Sequence, residues 1–203
     1  MQTSERHKNH LSRDQILDLG DYERQRDEIR PRAIAARGIR RVEVGPNATL
    51  AFENRETVVY QIQEMLRAER IAREEEVRHE IDTYTDLLPS PSELSATLML
   101  EFPAVDERSV RLSELVGFED HLHLEIEGAG KSAAYFDQRQ MDEEKISAVQ
   151  FVRFPLSGEQ LRALAAGRRL RVVADHPRYR HAADVPESTV RALAADLREA
   201  LHG

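Results

Sequence analysis

Cysteine is absent from the 203 residues. That excludes a disulfide scaffold, an iron–sulfur cluster, a thiolate zinc site and a cysteine nucleophile. No apolar run approaches the roughly 18 residues that a membrane-spanning helix needs. The first ten residues, Met1–His10, are polar and lack the apolar stretch of a secretory signal. Gly-x-Ser-x-Gly, phosphate-loop and dinucleotide-binding glycine patterns are missing, which removes the usual support for serine hydrolysis or nucleotide chemistry. Internal repeats, low-complexity tracts and clear linkers are also lacking. Lysine is scarce, with 3 Lys among the 29 cationic residues. These absences predict a cytoplasmic protein without a membrane segment.

What remains is a chain that is 40% hydrophobic and 33% charged, enough for a core, with a net charge of −8. Residues 1–41 carry 10 Lys/Arg and 7 Asp/Glu, residues 42–127 carry 7 and 20, and residues 128–203 carry 12 and 10. The acidic middle opposes a nucleic-acid groove, because phosphate binding needs clustered cations. The basic cluster is Arg30, Arg32, Arg37, Arg40 and Arg41. It reads as a solvated helix face or as an anion- or protein-docking patch.

Helix signals recur along the chain. Ser12 with Gln15 forms a capping box, Leu11 and Ile16 stand at staple positions, and Gly20 marks a stop. A second helix is expected over 22–37, bent at Pro31 and ended by Gly38. Others begin at Val105, with Val110 as its staple partner and Gly117 as its stop, at Ser157 with Gly167 closing, and near Pro186. The last carries the apolar stripe Val190, Leu193, Ala194, Leu197 and Leu201. Strands are expected over 41–44 and 49–53 as a hairpin, and over 94–102, 122–126, 132–136, 148–154 and 170–174, with 122–126 pairing 132–136. The expected fold is α+β: a mainly antiparallel sheet of about six strands packed by a long central helix and several shorter helices. Residues 1–10 are expected as a polar tail and 11–203 as a single domain.

The long helix is expected over 55–84. Val58, Val59, Ile62, Met65 and Leu66 form one stripe, whose continuation meets Glu69, Arg73, Glu76 and Glu80. Either the second half leaves the core, or Glu69 is a carboxylate at the core edge that needs a partner.

Three polar patterns are candidates for chemistry. His121, His123 and Glu125 share one face of a strand, and same-face side chains at that spacing can hold Fe, Mn or Zn. The same alternation also describes a strand with one wet face. Glu-x-x-His occurs at Glu76–His79 and Glu199–His202, a number that composition alone explains. Asp175-His176-Pro177-Arg178-Tyr179-Arg180-His181 follows a strand. Pro177 holds His176 extended, so His176 is a candidate ligand or acid/base with a carboxylate such as Glu69, or else a structural turn residue.

The stretch Val59-Tyr60-Gln61-Ile62-Gln63-Glu64-Met65-Leu66-Arg67-Ala68-Glu69-Arg70-Ile71, with Arg40-Arg41-Val42, Gly45-Pro46-Asn47-Ala48-Thr49, Ala96–Glu101, Ser147-Ala148-Val149 and His176–Tyr179, resembles a bacterial family of unknown function. Genes of that family often neighbour a rubrerythrin and a heterodisulfide-reductase-like iron–sulfur protein. Gln150, where many relatives have His, and the His121/His123 pair depart from the pattern. Matching positions imply Glu64, Arg67, Glu69, Arg70, His176 and Tyr179 as a candidate polar site. The resemblance implies no established activity; it implies work beside a non-haem iron redox system. The expectation is an accessory protein that binds a rubrerythrin or iron–sulfur partner, as against a metal-binding protein or enzyme with a carboxylate/His site, or a structural homodimer.

Overall fold

A buried apolar stripe on each helix and alternating burial along each strand organise the chain around two separate packing problems. The computed structural model describes residues 10–137 and 144–202, without the side chains of Val105 and 199–202. Most of the expected tail, like the side chains of Glu199 and His202, lies outside the described residues. The span from residue 11 onward, expected as one domain, divides into two compact units. One holds the chain up to residue 38 with 53–90, the other 39–52 with 91 onward.

The first unit is helical. A single 3-10 turn (Arg13–Gln15) follows Ser12, whose N–H donates to Gln15 Oε1 at 3.0 Å. The staple residues Leu11 and Ile16 are both buried. Helix α1 (Leu19–Ile39) runs through both Gly20 and Gly38, with Pro31 inside it. The expected stop at Gly20 is therefore a start, because tertiary packing of Tyr22 overrides weak local propensity. Helix α2 (Arg55–Glu69) is capped by Asn54, whose side chain accepts from Thr57 N at 3.0 Å. It buries Val58, Ile62 and Leu66, each contributing about 1.5–3 kcal/mol of apolar burial.

The expected rod over 55–84 is two helices. Arg70 adopts φ 54°, ψ 39°, the left-handed region, and Ile71 N–H turns back to Leu66 O at 2.9 Å. Helix α3 (Glu74–Thr85) then starts with three glutamates, which suit the positive end of a helix, and re-enters the core through Val77 and Ile81. No glycine or proline announces this break, so periodicity alone carried the helix through it.

The α+β class with antiparallel sheets is as expected, but the second unit carries two sheets where one was expected. Strands β1 (Arg41–Glu43), β2 (Ala48–Glu53), β3 (Glu93–Leu100), β7 (Val149–Pro155) and β6 (Tyr135–Phe136) make a five-stranded sheet in the order β1-β2-β3-β7-β6. Strands β5 (Gly130–Ala133), β4 (Leu122–Ile126), β8 (Leu170–His176) and β9 (Tyr179–Asp184) make a four-stranded antiparallel sheet in the order β5-β4-β8-β9. The segment expected as one strand over 132–136 is split between them, crossing at Ala134. Inner-face residues of both sheets, among them Leu98, Phe154, Leu124 and Val172, share one apolar cluster.

Helices α4 (Val105–Glu114), α5 (Gly158–Ala165) and α6 (Glu187–His202) complete this unit. Ser157 and Gln160 cap α5 reciprocally, at 3.3 and 2.9 Å, and α6 buries Val190, Leu193, Ala194 and Leu197 as expected. Val110 is 61% exposed, so it is no staple. Arg40, expected in a solvated cluster, is buried and forked onto Asp196 of α6 at 2.8 and 3.0 Å. Strand β9 was missed in the sequence because its residues are mostly polar. It pairs β8 through a two-residue turn, with His176 opposite Tyr179.

Candidate functional site

The family-like motif divides between the two units. Glu64, Arg67, Glu69 and Arg70 belong to the helical unit, and His176 and Tyr179 to the β unit. In the first, Glu64 faces α1 instead of pairing with Arg67 along its own helix. Tyr22 Oη donates to Glu64 Oε1 at 2.6 Å, and Arg26 reaches both oxygens from Nε (2.8 Å) and Nη2 (2.9 Å). The Arg26 guanidinium draws the Glu64 carboxyl down to about 2, and burial with the Glu64 bond pushes the Tyr22 phenol well above its ordinary range. Arg67 pairs with Glu23 of α1 at 2.7 Å. Tyr22, Glu23 and Arg26 were missed in the sequence; their one-turn spacing on α1 was the available signal. Glu69 and Arg70 are exposed, so the alternative that placed Glu69 as a carboxylate at the core edge fails.

In the β unit, Tyr179 and His176 are structural anchors of the turn. Tyr179 Oη donates to Val44 O at 2.7 Å and accepts from Asn47 N–H at 3.0 Å, and burial pushes its pKa up. His176 is buried, with Nε2 3.2 Å from Val116 O and Nδ1 accepting from Arg178 N–H at 3.2 Å. Both ring nitrogens are engaged, an arrangement that fits the Nε2–H tautomer. The His181 ring lies over Tyr179, centroids 4.5 Å apart, and against Gly45, where a Cβ would come within 2.4 Å of His181 Cγ. Gly45 also sits at φ +78°, so glycine is required there twice over.

Of His121, His123 and Glu125 only the last two meet, His123 Nε2 lying 3.6 Å from Glu125 Oε1. His121 lies in the 3-10 turn (Phe118–His121) just before β4, and its Nδ1 meets Asp175 Oδ1 of β8 at 2.8 Å. His123 is buried, with Nε2 3.1 Å from Lys131 Nζ, and Lys131 also holds Glu125 at 3.2 Å, drawing that carboxyl below its ordinary range. Among the described residues no three His, Asp or Glu side chains are grouped to hold a metal.

What the structure does assemble is a His121-centred surface. The His121 ring stands edge-on to His176, centroids 5.2 Å apart. The His121 bond draws the Asp175 carboxyl below its ordinary range. Both residues line an open depression of about 740 Å³ in the β unit, together with Asp120, Val173, Arg180 and His181. The sequence signal for Asp175 and Arg180 was present in the Asp175–His181 stretch, but their juxtaposition with His121 depends on β8 pairing β4 and β9.

Among the described residues no helix is long and apolar enough to cross a membrane. No curated protein matches the chain. A crystal structure of a protein of unknown function from Burkholderia pseudomallei K96243 is similar over 92% of this chain and 98% of that one, at 36% identity and a TM-score of 0.86. The model of the family described as Protein of unknown function (DUF3501) matches residues 10–197, and the chain belongs to that family.

Proposed function

We propose that the chain is an accessory protein that acts by binding a protein partner, and that the partner belongs to the rubrerythrin-type non-haem iron system implied by the family resemblance. The observation that carries this reading is the acidic surface around the break between α2 and α3. Glu69, Glu74, Glu75, Glu76 and Asp82 are all exposed there, while Val77 and Ile81 anchor the helix from behind. Glu69 and Glu75 make no ion pair among the described residues. Unneutralised carboxylates on an anchored helix favour a partner with a basic face and speed its encounter. The binding is therefore expected to weaken as salt rises.

The test is titration calorimetry of the purified chain against a rubrerythrin and a heterodisulfide-reductase-like iron–sulfur protein, the two partners that the resemblance implies. Micromolar binding at low salt that is lost in the Glu75→Lys/Glu76→Lys double variant supports the reading. Absence of binding to either protein at low salt overturns it.

A further inference from the structure

The depression beside His121 holds exposed side chains of both signs. The Arg180 guanidinium makes no hydrogen bond or ion pair among the described residues, and neither does the Asp120 carboxylate, although both line the same 740 Å³ depression. The two side chains do not pair with each other, and both face the same open depression. His121 lines the same depression. Its Nδ1 is committed to Asp175, which leaves the Nε2 lone pair as acceptor. His176 holds the ring from the side, and is itself fixed by Val116 O and Arg178 N. Val173 adds apolar surface to the lining.

We propose that this depression binds a small zwitterion, an α-amino acid. The Arg180 guanidinium takes the carboxylate in a charge-assisted fork. The ammonium donates to the Asp120 carboxylate and to His121 Nε2. Asp175 is a positioning residue: it sets the ring tautomer that makes Nε2 an acceptor. A bare anion meets two carboxylates without compensation, and a bare cation leaves Arg180 unanswered, so the two charges are required together.

The experiment is nitrogen-15 NMR of the histidine and arginine side chains of the full chain, titrated with L-alanine, acetate and methylammonium. Without ligand, His121 is expected as the Nδ1–H tautomer, changing to mainly Nε2–H in Asp175→Asn. L-Alanine is expected to shift Arg180 Nε and His121 Nε2 saturably in the millimolar range. Arg180→Gln and Asp120→Asn are each expected to weaken that binding by about tenfold, the loss of one charge-assisted bond. Both residues are on the surface, and backbone amide spectra verify the fold of each variant. An Nε2–H tautomer in the wild type, a response to alanine no stronger than that to acetate, or unchanged binding in Arg180→Gln overturns the proposal.

Discussion

Glu64 in the helical unit and Asp175 in the β unit are both carboxylates drawn below their ordinary range by a neighbour, yet they stand for opposite uses of a charge. Glu64 receives three hydrogen bonds, one from a fully buried tyrosine and two from one guanidinium. Three donors from α1 converge on it, and the cluster pins α1 to α2. Asp175 receives one bond, is half exposed, and its partner His121 keeps a free nitrogen. A carboxylate held by several donors from a neighbouring helix holds a fold together. A polar group whose partner has capacity left can meet a ligand.

The contrast breaks most visibly at Glu64. Glu64→Ala leaves the Tyr22 hydroxyl and the Arg26 guanidinium without their acceptor, and is expected to cost about 2–3 kcal/mol, since orphaning a part-buried charge is worse than never having the pair. Glu64→Gln keeps an acceptor and is expected to cost about half that. Urea unfolding monitored by circular dichroism measures both; a loss under about 0.5 kcal/mol in Glu64→Ala would mean that the α1–α2 cluster is ornamental.

Acid is the next probe. The folded-state pKa of Glu64 is depressed, so its stabilisation is present above the ordinary carboxyl value. It is lost as pH falls from about 4.5 through about 2. With a side chain 29% exposed, solvent screening leaves about 1–2 kcal/mol of that linkage. Unfolding free energy measured from pH 6 to pH 2 is expected to fall less steeply in Glu64→Gln than in the wild type; parallel curves would remove Glu64 from the acid response.

The same contrast explains how far the residues alone could be read. The α5 capping box, the apolar stripe of α6, the β1–β2 hairpin and the pairing of β4 with β5 follow from local rules, because each is settled within a few residues or across one turn. The family-like motif was visible as a string, but its meaning was not. Glu64 answers to Tyr22 and Arg26, 42 and 38 residues away, and spacing along α2 suggests the wrong partner, Arg67. His121 and Asp175 are 54 residues apart and meet only because β4 and β8 pair. The split into two sheets was hidden for a related reason: Ala134, where the chain changes sheet, has no distinctive chemistry. Strand β9 was hidden by its polarity, which a strand with little apolar lining tolerates.

Arg70 sharpens the comparison inside the helical unit. It is the one non-glycine residue among those described with positive φ, and it lies where the expected rod breaks. A side chain in the left-handed region costs roughly 1 kcal/mol that glycine does not pay. Arg70→Gly is therefore expected to raise stability by about 0.5–1 kcal/mol, and Arg70→Val to lower it by a similar amount. Equal stabilities for the two variants would show that α2 and α3 join as one continuous helix in solution.

The smallest effect expected is at Asp175, and its smallness is the point. The His121–Asp175 pair is exposed at 36% and 55% of its two side chains, so the bond exchanges one solvated arrangement for another. Pairs of that kind contribute about 0–0.5 kcal/mol. Asp175→Asn should therefore leave the urea midpoint within error of the wild type. A structural role for Asp175 comparable with that of Glu64 would instead appear as a loss above about 1 kcal/mol. That loss would place His121 and Asp175 with the saturated clusters, because a bond the fold depends on is not free to turn its partner toward a ligand.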